Sequence, residues 1–388
     1  MKYSTACSKS WTDVNINFSK RQLGHCCVSK YHDMPEVITT DYYSNNKLIQ
    51  QRRQDTLNGI QHPDCQSCWN EINNNITSFK DIMGEWEDFT NVKSDQPQVN
   101  YIEMEIDNVC DLSCLYCHPK HSSKIAKEEG VDVPNKVTSH DVEVYKEWLK
   151  NTVLDSKEPI NIAFLGGEPT ASKLFYEMID FIVSLNASNL TVNITTNCNS
   201  KEHLFNKLKN AMDKSNFSWV INVSNESFKE HSQLIRYGLD WDRFENNIRA
   251  YASHPRVKNL VFDCAINSLA IPTFPKYIKW IYELMLDYEK KFTILGSSVS
   301  NPEQLDVKNL PSSYRKYIRE AEKIVKNSQN SNCIKTDKIL QFLNSIKERI
   351  GSDYKDNYKD IIRNFLEQKQ TYKQTNTLLR LIDADSVF

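Results

Sequence analysis

Three cysteines lie close enough together in the sequence to bind one metal cluster. Cys110, Cys114 and Cys117 have C-x3-C-x2-C spacing. Three thiolates on one compact loop can bind three irons of a 4Fe-4S cluster and leave the fourth iron open to a substrate or cofactor. A structural zinc site would need four closed ligands, and His118 is poorly placed to be the fourth because it directly follows Cys117. The spacing therefore favours an iron-sulfur cluster over zinc.

A second motif, Gly166-Gly167-Glu168-Pro169, follows the apolar run 160–165. Glycines allow the backbone to approach a ligand closely, and a carboxylate or backbone carbonyl can accept a hydrogen bond from an ammonium group. By itself the motif could equally be an ordinary turn between a strand and a helix. The two motifs together, in this order, favour ligand binding.

This pair of motifs resembles the radical S-adenosylmethionine enzymes. The resemblance implies that the three cysteines hold a 4Fe-4S cluster, that Tyr116 lies against the adenine of S-adenosylmethionine, and that the Gly-Gly-Glu-Pro segment receives its amino group. It also implies one-electron reduction of the cluster and cleavage of S-adenosylmethionine to methionine and a 5′-deoxyadenosyl radical. That radical abstracts a hydrogen from an unactivated carbon of the substrate.

Polar residues at the ends of two further predicted strands extend this expectation. Thr196 and Asn197 end the third strand and Ser224 ends the fourth, where small polar side chains can bond a ribose or a carboxylate. The resemblance implies that they bind S-adenosylmethionine and that Arg236 pairs with its carboxylate. The Asn-Glu pair after Ser224 stands where many relatives have Asp-Gly. The alternatives are turn-forming polar residues and, for Arg236, a surface salt bridge.

Between residues 100 and 295 the sequence alternates strand-like and helix-like segments, which is typical of a parallel βα array. The predicted strands are Tyr101 to Ile106, Ile160 to Leu165, Leu190 to Thr196, Trp219 to Ser224, Leu260 to Ile266 and Lys291 to Leu295. The resemblance implies an α/β fold in which these six strands form a partial (β/α)6 TIM-like barrel. Both motifs then lie at strand ends, where barrel enzymes carry their chemistry.

A separate group of cysteines precedes the predicted barrel. It comprises Cys7, the adjacent Cys26 and Cys27, and the C-x2-C pair of Cys65 and Cys68. The spacing alone fits zinc and iron-sulfur equally well. The group resembles the auxiliary half-domain of twitch-type radical S-adenosylmethionine proteins, which implies a second, auxiliary 4Fe-4S cluster. Whether Cys26 or Cys27 is a ligand stays open, as does the presence of an open iron.

These patterns predict three regions: an auxiliary-cluster region over 1–95, a radical S-adenosylmethionine core over 96–298 and a charged helical region over 299–388. In the last region, one helical face carries Ile318 and Val325 and another carries Ile339 and Leu343. Residues 327–332 are rich in Asn and Ser and predict a loop between these two helices.

Composition limits the functional classes further. The chain has 388 residues, eleven cysteines and a formal net charge of -2. This charge gives no indication of nucleic-acid binding. The first ten residues lack an apolar core, and no stretch approaches the roughly 20 apolar residues of a membrane span. We therefore expect a cytoplasmic protein whose cysteines bind metal instead of forming disulfides.

Relatives with such an auxiliary domain commonly modify peptides or proteins, so the resemblance implies a substrate of that class. It also implies an electron donor such as flavodoxin or ferredoxin. Two alternatives remain at this point. One is the same radical chemistry on a small molecule or nucleoside. The other is a non-enzymatic zinc or iron-sulfur binding protein.

Overall fold

The computed structural model describes residues 5, 7–73, 80, 99–328 and 332–369. Its strands are β1 (Asp13–Asn17), β2 (Gln22–Gly24), β3 (His32–Asp33), β4 (Tyr101–Glu105), β5 (Ser113–Cys114), β6 (Ile160–Leu165), β7 (Leu190–Thr196), β8 (Ser218–Ser224), β9 (Arg236–Tyr237), β10 (Val257–Ile266) and β11 (Lys291–Ser298). Nine of them form one sheet in the order β11-β10-β8-β7-β6-β4-β1-β2-β3, and β5 pairs with β9 separately.

The six predicted strands are confirmed as β4, β6, β7, β8, β10 and β11, and adjacent members of this series pair in parallel. Among the described residues β11 and β3 form the two edges of the sheet and do not pair with each other, so the barrel is open. The predicted α/β class is therefore confirmed as a large, mostly parallel sheet.

Alternation along the strands gives this sheet its two faces. In β4 the side chains of Ile102 and Met104 are fully buried in the hydrophobic core. Glu103 and Glu105 alternate with them, so they point to the other face, which lines a cavity. One face of the sheet thus packs against the hydrophobic core, and the other face provides polar side chains that line the cavity.

The N-terminal region contributes a strand that the sequence analysis missed. β1 pairs in parallel with β4, from Asp13 opposite Tyr101 to Asn17 opposite Glu105. Three of its five residues are polar, and all five are buried. Asn15, for example, donates to the Glu103 carboxylate at 2.7 Å. The sheet therefore continues into the region predicted as 1–95, and the three-region division stays a prediction.

Helices cover the strands and form the C-terminal part. They are Lys9–Thr12, Tyr42–Asn45, Lys47–Leu57, Gln66–Asn73, Ser123–Glu129, Ser139–Asp155, Lys173–Ser184, Glu202–Lys214, Glu230–Ile235, Trp241–Ser253, Phe274–Leu286, Arg315–Asn327, Thr336–Arg349 and Tyr358–Gln368. Arg315–Asn327 and Thr336–Arg349 follow the predicted helical periodicity, with Ile318, Val325, Ile339 and Leu343 buried, whereas Tyr358–Gln368 was not predicted. Residues 329–331 of the predicted loop lie outside the described residues. No helix in the described ranges combines the length and apolar character needed to cross a bilayer.

Candidate active site

The three cysteines of the first motif share one cavity. Cys110, Cys114 and Cys117 lie on the loop that follows β4, and all three line a cavity of about 440 Å³. This volume is within the range of about 300 to 1,000 Å³ typical of small-molecule sites. The carboxyl ends of the parallel strands also line it, through Leu165, Thr195, Ser224, Ala265 and Ser297. The cavity therefore lies where parallel α/β sheets bind ligands.

The two glycines of the second motif allow their loop to contact the cysteine loop. A Cβ atom on Gly166, which has a φ of +135°, would lie 2.5 Å from the carbonyl oxygen of Asp107. A Cβ atom on Gly167 would lie 2.3 Å from the carbonyl oxygen of Val109. The amides of Gly167 and Glu168 donate to these same two carbonyls, at 2.9 and 2.6 Å. The sequence analysis expected close approach to a ligand, and the structure shows close approach to the cysteine loop.

Glu168 links the ends of β6 and β7 through hydrogen bonds. Its buried carboxylate accepts hydrogen bonds from the Thr170 amide at 3.1 Å, the Thr170 hydroxyl at 2.6 Å, the Thr196 hydroxyl at 2.8 Å and the Asn197 amide at 2.6 Å. Burial, and then the negative charge of Asp111, raise the pKa of Glu168 to about 7. Three of these bonds go to Oε1 and one to Oε2, so the remaining acceptor capacity is mainly on Oε2.

The predicted cofactor residues at the end of β7 differ in position. Thr196 is buried against Glu168, whereas Thr195 and Asn197 line the cavity. The Asn197 side-chain amide donates to Asp111 at 2.8 Å, and that of Asn199 donates to the other oxygen of Asp111 at 3.0 Å. Asp111 lies inside the cysteine motif, so these amides fix the cysteine loop against β7. Asp111 and Asn199 were missed by the sequence analysis, although both lie within or beside motifs that it identified.

Arg236 belongs to a buried group of three side chains. Its Nη2 and Nε donate to a Glu226 carboxylate oxygen at 2.7 and 3.1 Å, and Glu226 is 0% exposed. The Tyr116 hydroxyl donates to the same carboxylate at 3.1 Å, and the Tyr116 ring lies 5.6 Å from the guanidinium carbon. Arg236 also pairs with Cys114 across β5 and β9. Its ion pair is therefore buried, unlike the surface salt bridge that was the alternative.

The ion pair with Glu226 leaves one guanidinium nitrogen of Arg236 available to bind a ligand in the cavity. Within the described residues Nη1 has no hydrogen-bond partner, and Arg236 and Tyr116 both line the cavity. Glu226 was missed as a functional residue. The departure from the Asp-Gly pattern at this position was the sequence signal that could have identified it.

The N-terminal cysteines lie around a second cavity. Cys7, Cys26, Cys65 and Cys68 all line it. Cys27 instead lines a third cavity, together with Asp13, Asn15 and Glu103. The adjacent cysteines thus differ in position, and it is Cys26 that lies with the other three.

Arg52 also lines the cavity of these four cysteines, and it provides a test of whether they fit an anionic group. It is 2% exposed, and its Nε and Nη2 atoms have no hydrogen-bond partner among the described residues. An unpaired buried cation is costly, so an anion in this cavity would stabilise it. A cluster bound by four thiolates is such an anion, and the donor set therefore fits.

The three cysteines of the first cavity also fit a cluster. Burial raises the pKa of the Cys114 thiol to about 12, and metal binding would displace that proton. No three His, Cys, Asp or Glu side chains in the described ranges converge on one metal-ion position. A cluster does not require such convergence, because each thiolate binds a different iron.

A comparison with known protein families identifies one type of domain in the chain. Residues 104–275 match the Radical SAM superfamily, a region that contains the three cysteines and the glycine motif. No curated protein sequence matches the chain significantly.

Two solved structures resemble the chain distantly. The crystal structure of Streptococcus suis SuiB bound to precursor peptide SuiA is 12% identical, with 82% of this chain and 70% of that chain covered and a TM-score of 0.41. The structure of TYW1 with a lysine-pyruvate adduct bound is 16% identical, with 59% and 74% covered and a TM-score of 0.35.

Proposed function

We propose, from the match of residues 104–275 to the Radical SAM superfamily, that the chain is an enzyme of this family that binds a 4Fe-4S cluster through Cys110, Cys114 and Cys117. The observation that carries the proposal is the shared cavity, in which these three cysteines and the glycine motif meet the carboxyl ends of the parallel strands. The cluster, once reduced, would supply the electron that cleaves S-adenosylmethionine and so provides the 5′-deoxyadenosyl radical for hydrogen abstraction from the substrate.

The side chains around the cavity have binding and positioning roles in this proposal. The backbone carbonyls of the glycine motif and Oε2 of Glu168 accept hydrogen bonds from the ammonium group of S-adenosylmethionine. Nη1 of Arg236 donates to the carboxylate, while Glu226 fixes the guanidinium and the Tyr116 ring. A cationic donor to a carboxylate contributes about 1.5 to 3 kcal/mol.

Residues at the strand ends complete this binding site. We propose that Asn197 and Ser224 contact the ribose, since both line the cavity. Thr196 and Pro169 are buried beside it, and they support the loop positions.

We further propose that Cys7, Cys26, Cys65 and Cys68 bind a second, auxiliary 4Fe-4S cluster with no open iron. Support comes from their shared cavity and from the unpaired Arg52 in its wall. Cys27 is not a ligand in this proposal because it lines a different cavity. A closed cluster would also stabilise the fold of the N-terminal region, because it links cysteines that are far apart in the sequence.

The substrate we propose is a peptide or protein, with a small molecule or nucleoside as the alternative. This rests on the resemblance of the N-terminal cysteine group to twitch-type proteins, whose members commonly modify peptides. The electron donor would be a low-potential protein such as flavodoxin or ferredoxin.

The experiment that tests the activity is S-adenosylmethionine cleavage by anaerobically reconstituted, dithionite-reduced protein. We expect slow 5′-deoxyadenosine formation even without substrate. Replacing Cys110, Cys114 and Cys117 together by Ala should abolish it, because no iron would remain to bind S-adenosylmethionine. A Cys27→Ala control should keep full activity. Equal product formation by the triple variant would show that the proposal is wrong.

A further inference from the structure

Arg52 is a buried cation that the described residues do not neutralise. It lies on the helix Lys47–Leu57, and its side chain lines the cavity of Cys7, Cys26, Cys65 and Cys68. Two of its three guanidinium nitrogens, Nε and Nη2, have no hydrogen-bond acceptor in the described part of the chain. A negative partner would stabilise a buried guanidinium of this kind.

The nearest acidic groups are engaged elsewhere. Asp13 and Asp64 attract Arg52 electrostatically but form no salt bridge with it. Asp13 is bonded to Lys9 at 2.6 Å, and Asp64 to His32 at 2.8 Å. The other groups that interact electrostatically with Arg52 are the thiols of Cys65 and Cys7, which become negative only when they lose their protons, as they do on binding a metal.

The adjacent Arg53 is bonded by protein carbonyls through two of its nitrogens, although its Nη1 also has no partner among the described residues. Arg53 is also buried, yet its Nε donates to the Ser10 carbonyl at 2.7 Å and its Nη2 to the Ser44 carbonyl at 3.3 Å. It does not line the cysteine cavity. The two arginines therefore differ in environment, and only Arg52 faces the thiols.

We propose that the Arg52 guanidinium donates hydrogen bonds to sulfur atoms of the cluster held by the four cysteines and thereby raises its reduction potential. The inference rests on the second cluster of the proposed function and adds a residue that tunes it. One-electron reduction makes a cluster more negative, so a nearby cation stabilises the reduced form more than the oxidised form. Hydrogen bonds to the sulfurs act in the same direction.

This assigns different redox roles to the two sites. In the first cavity the charge of Arg236 is cancelled by Glu226. In the second cavity the described residues provide no such counter-ion for Arg52. The cluster beside Arg52 should therefore be the easier one to reduce, which suits it to accept an electron and not to reduce S-adenosylmethionine.

An electron paramagnetic resonance redox titration of the full-length, doubly loaded enzyme tests this. The cluster at Cys110, Cys114 and Cys117, here called the barrel cluster, is identified by a change of its signal when S-adenosylmethionine is added. The signal that does not change belongs to the second cluster. In Arg52→Gln the second cluster should be harder to reduce. At the wild-type midpoint potential its reduced-to-oxidised ratio should fall about tenfold, a shift of about 59 mV for one electron. The potential of the barrel cluster should stay the same.

Arg53→Gln is the matched control, since it removes a buried cation from the same helix but outside the cavity. Its second cluster should keep the wild-type potential. An unchanged potential in Arg52→Gln, with both clusters present, would overturn the inference and leave the proposed function intact. Wild-type protein with only one cluster would overturn the second-cluster proposal itself.

Arg52→Lys resolves the case in which Arg52→Gln does not assemble the second cluster. Lysine keeps the positive charge, so recovery of the cluster with a potential nearer to the wild type would support the charge role. If Arg52→Lys has the wild-type circular dichroism spectrum and still lacks the cluster, the shape of the arginine, and not its charge, is what the site needs. The inference would then be wrong.

Discussion

The two cysteine cavities differ in how their buried arginine is neutralised. In the first cavity Arg236 forms a buried ion pair with Glu226 at 2.7 Å. In the second, Arg52 lines the wall with two nitrogens that no described residue pairs. The first arrangement is electrostatically complete without a ligand, whereas the second is completed only by an anion. An unpaired buried charge therefore indicates a ligand more directly than a paired one does.

The largest expected effect is a change in the iron content of the protein when only one of the two cysteine groups is removed. Replacing Cys65 and Cys68 by Ala should reduce iron from about eight to about four per chain, because one of two 4Fe-4S clusters is lost. The variant should keep 5′-deoxyadenosine formation, since its barrel cysteines are intact. Iron analysis and product chromatography measure the two quantities.

Two single variants serve as controls for this double variant and show which of the two adjacent cysteines binds the second cluster. Cys26→Ala should lose the same cluster, and Cys27→Ala should keep both, because Cys26 shares the cavity and Cys27 does not. Loss of product formation in the Cys65 and Cys68 variant would mean that the two sites are not independent.

The second prediction compares the buried arginines in protein without clusters. Glu226→Gln should lower the free energy of unfolding by about 3 to 5 kcal/mol, because it leaves Arg236 buried and unpaired. Arg52→Met should leave stability unchanged or raise it, since it removes a cation that already lacks a partner among the described residues. Urea unfolding at fixed pH measures both.

A double variant checks the reason for this difference. Adding Arg236→Met to Glu226→Gln should recover part of the lost stability, because it removes the unpaired charge. If Arg52→Met destabilises the protein as much as Glu226→Gln does, Arg52 has a partner in the metal-free protein and the comparison fails.

The N-terminal cavity was also harder to predict from sequence than the first. Cys110, Cys114 and Cys117 lie on one loop, so their spacing alone indicated a common site. Cys7 and Cys65 meet only through the folded N-terminal region, in which β1 joins the sheet beside β4. The choice between adjacent cysteines requires the direction of each side chain, which sequence spacing does not contain.

Buried polar pairs account for the other differences. β1 escaped prediction because its asparagines are buried against Glu103 and Glu105 of the neighbouring strand, a pairing that depends on register. The six predicted strands could be recognised in the sequence because each is either an apolar run or an alternation of apolar and polar residues. Arg236 was predicted to be a binding residue, whereas its ion pair with Glu226 is visible only in the structure.

The third prediction concerns cofactor binding in the first cavity. Arg236→Ala should weaken S-adenosylmethionine binding by about 1.5 to 3 kcal/mol, the usual contribution of a charged hydrogen bond. Equilibrium binding to the oxidised holoenzyme measures this. Arg243→Ala is a suitable control, since Arg243 forms an exposed pair with Asp240. An unchanged affinity would restrict Arg236 to a structural role.

The smallest expected effect concerns the contact between the two loops of the first cavity. Gly167→Ala would place a Cβ atom 2.3 Å from the Val109 carbonyl, so the loops must separate. We expect a loss of about 1 to 3 kcal/mol in unfolding free energy, as for other overpacked sites. Iron loss should be confined to the barrel cluster.

A glycine away from both cavities provides the control for this change. Gly130 has a φ of +65°, and no described atom lies within 4 Å of the place that a Cβ would occupy there. Asparagine tolerates this left-handed backbone conformation, so Gly130→Asn should be accepted. Equal stability of Gly167→Ala and the wild type would show that the loops do not need their close contact.

The most direct test of the account is electron paramagnetic resonance of the reduced, full-length enzyme with and without S-adenosylmethionine. Two 4Fe-4S signals should be present, because we propose one cluster in each cavity. Only the signal of the cluster at Cys110, Cys114 and Cys117 should change on addition of S-adenosylmethionine, since in this proposal only that cluster has an open iron. A single signal, or two signals that both change, would contradict the account.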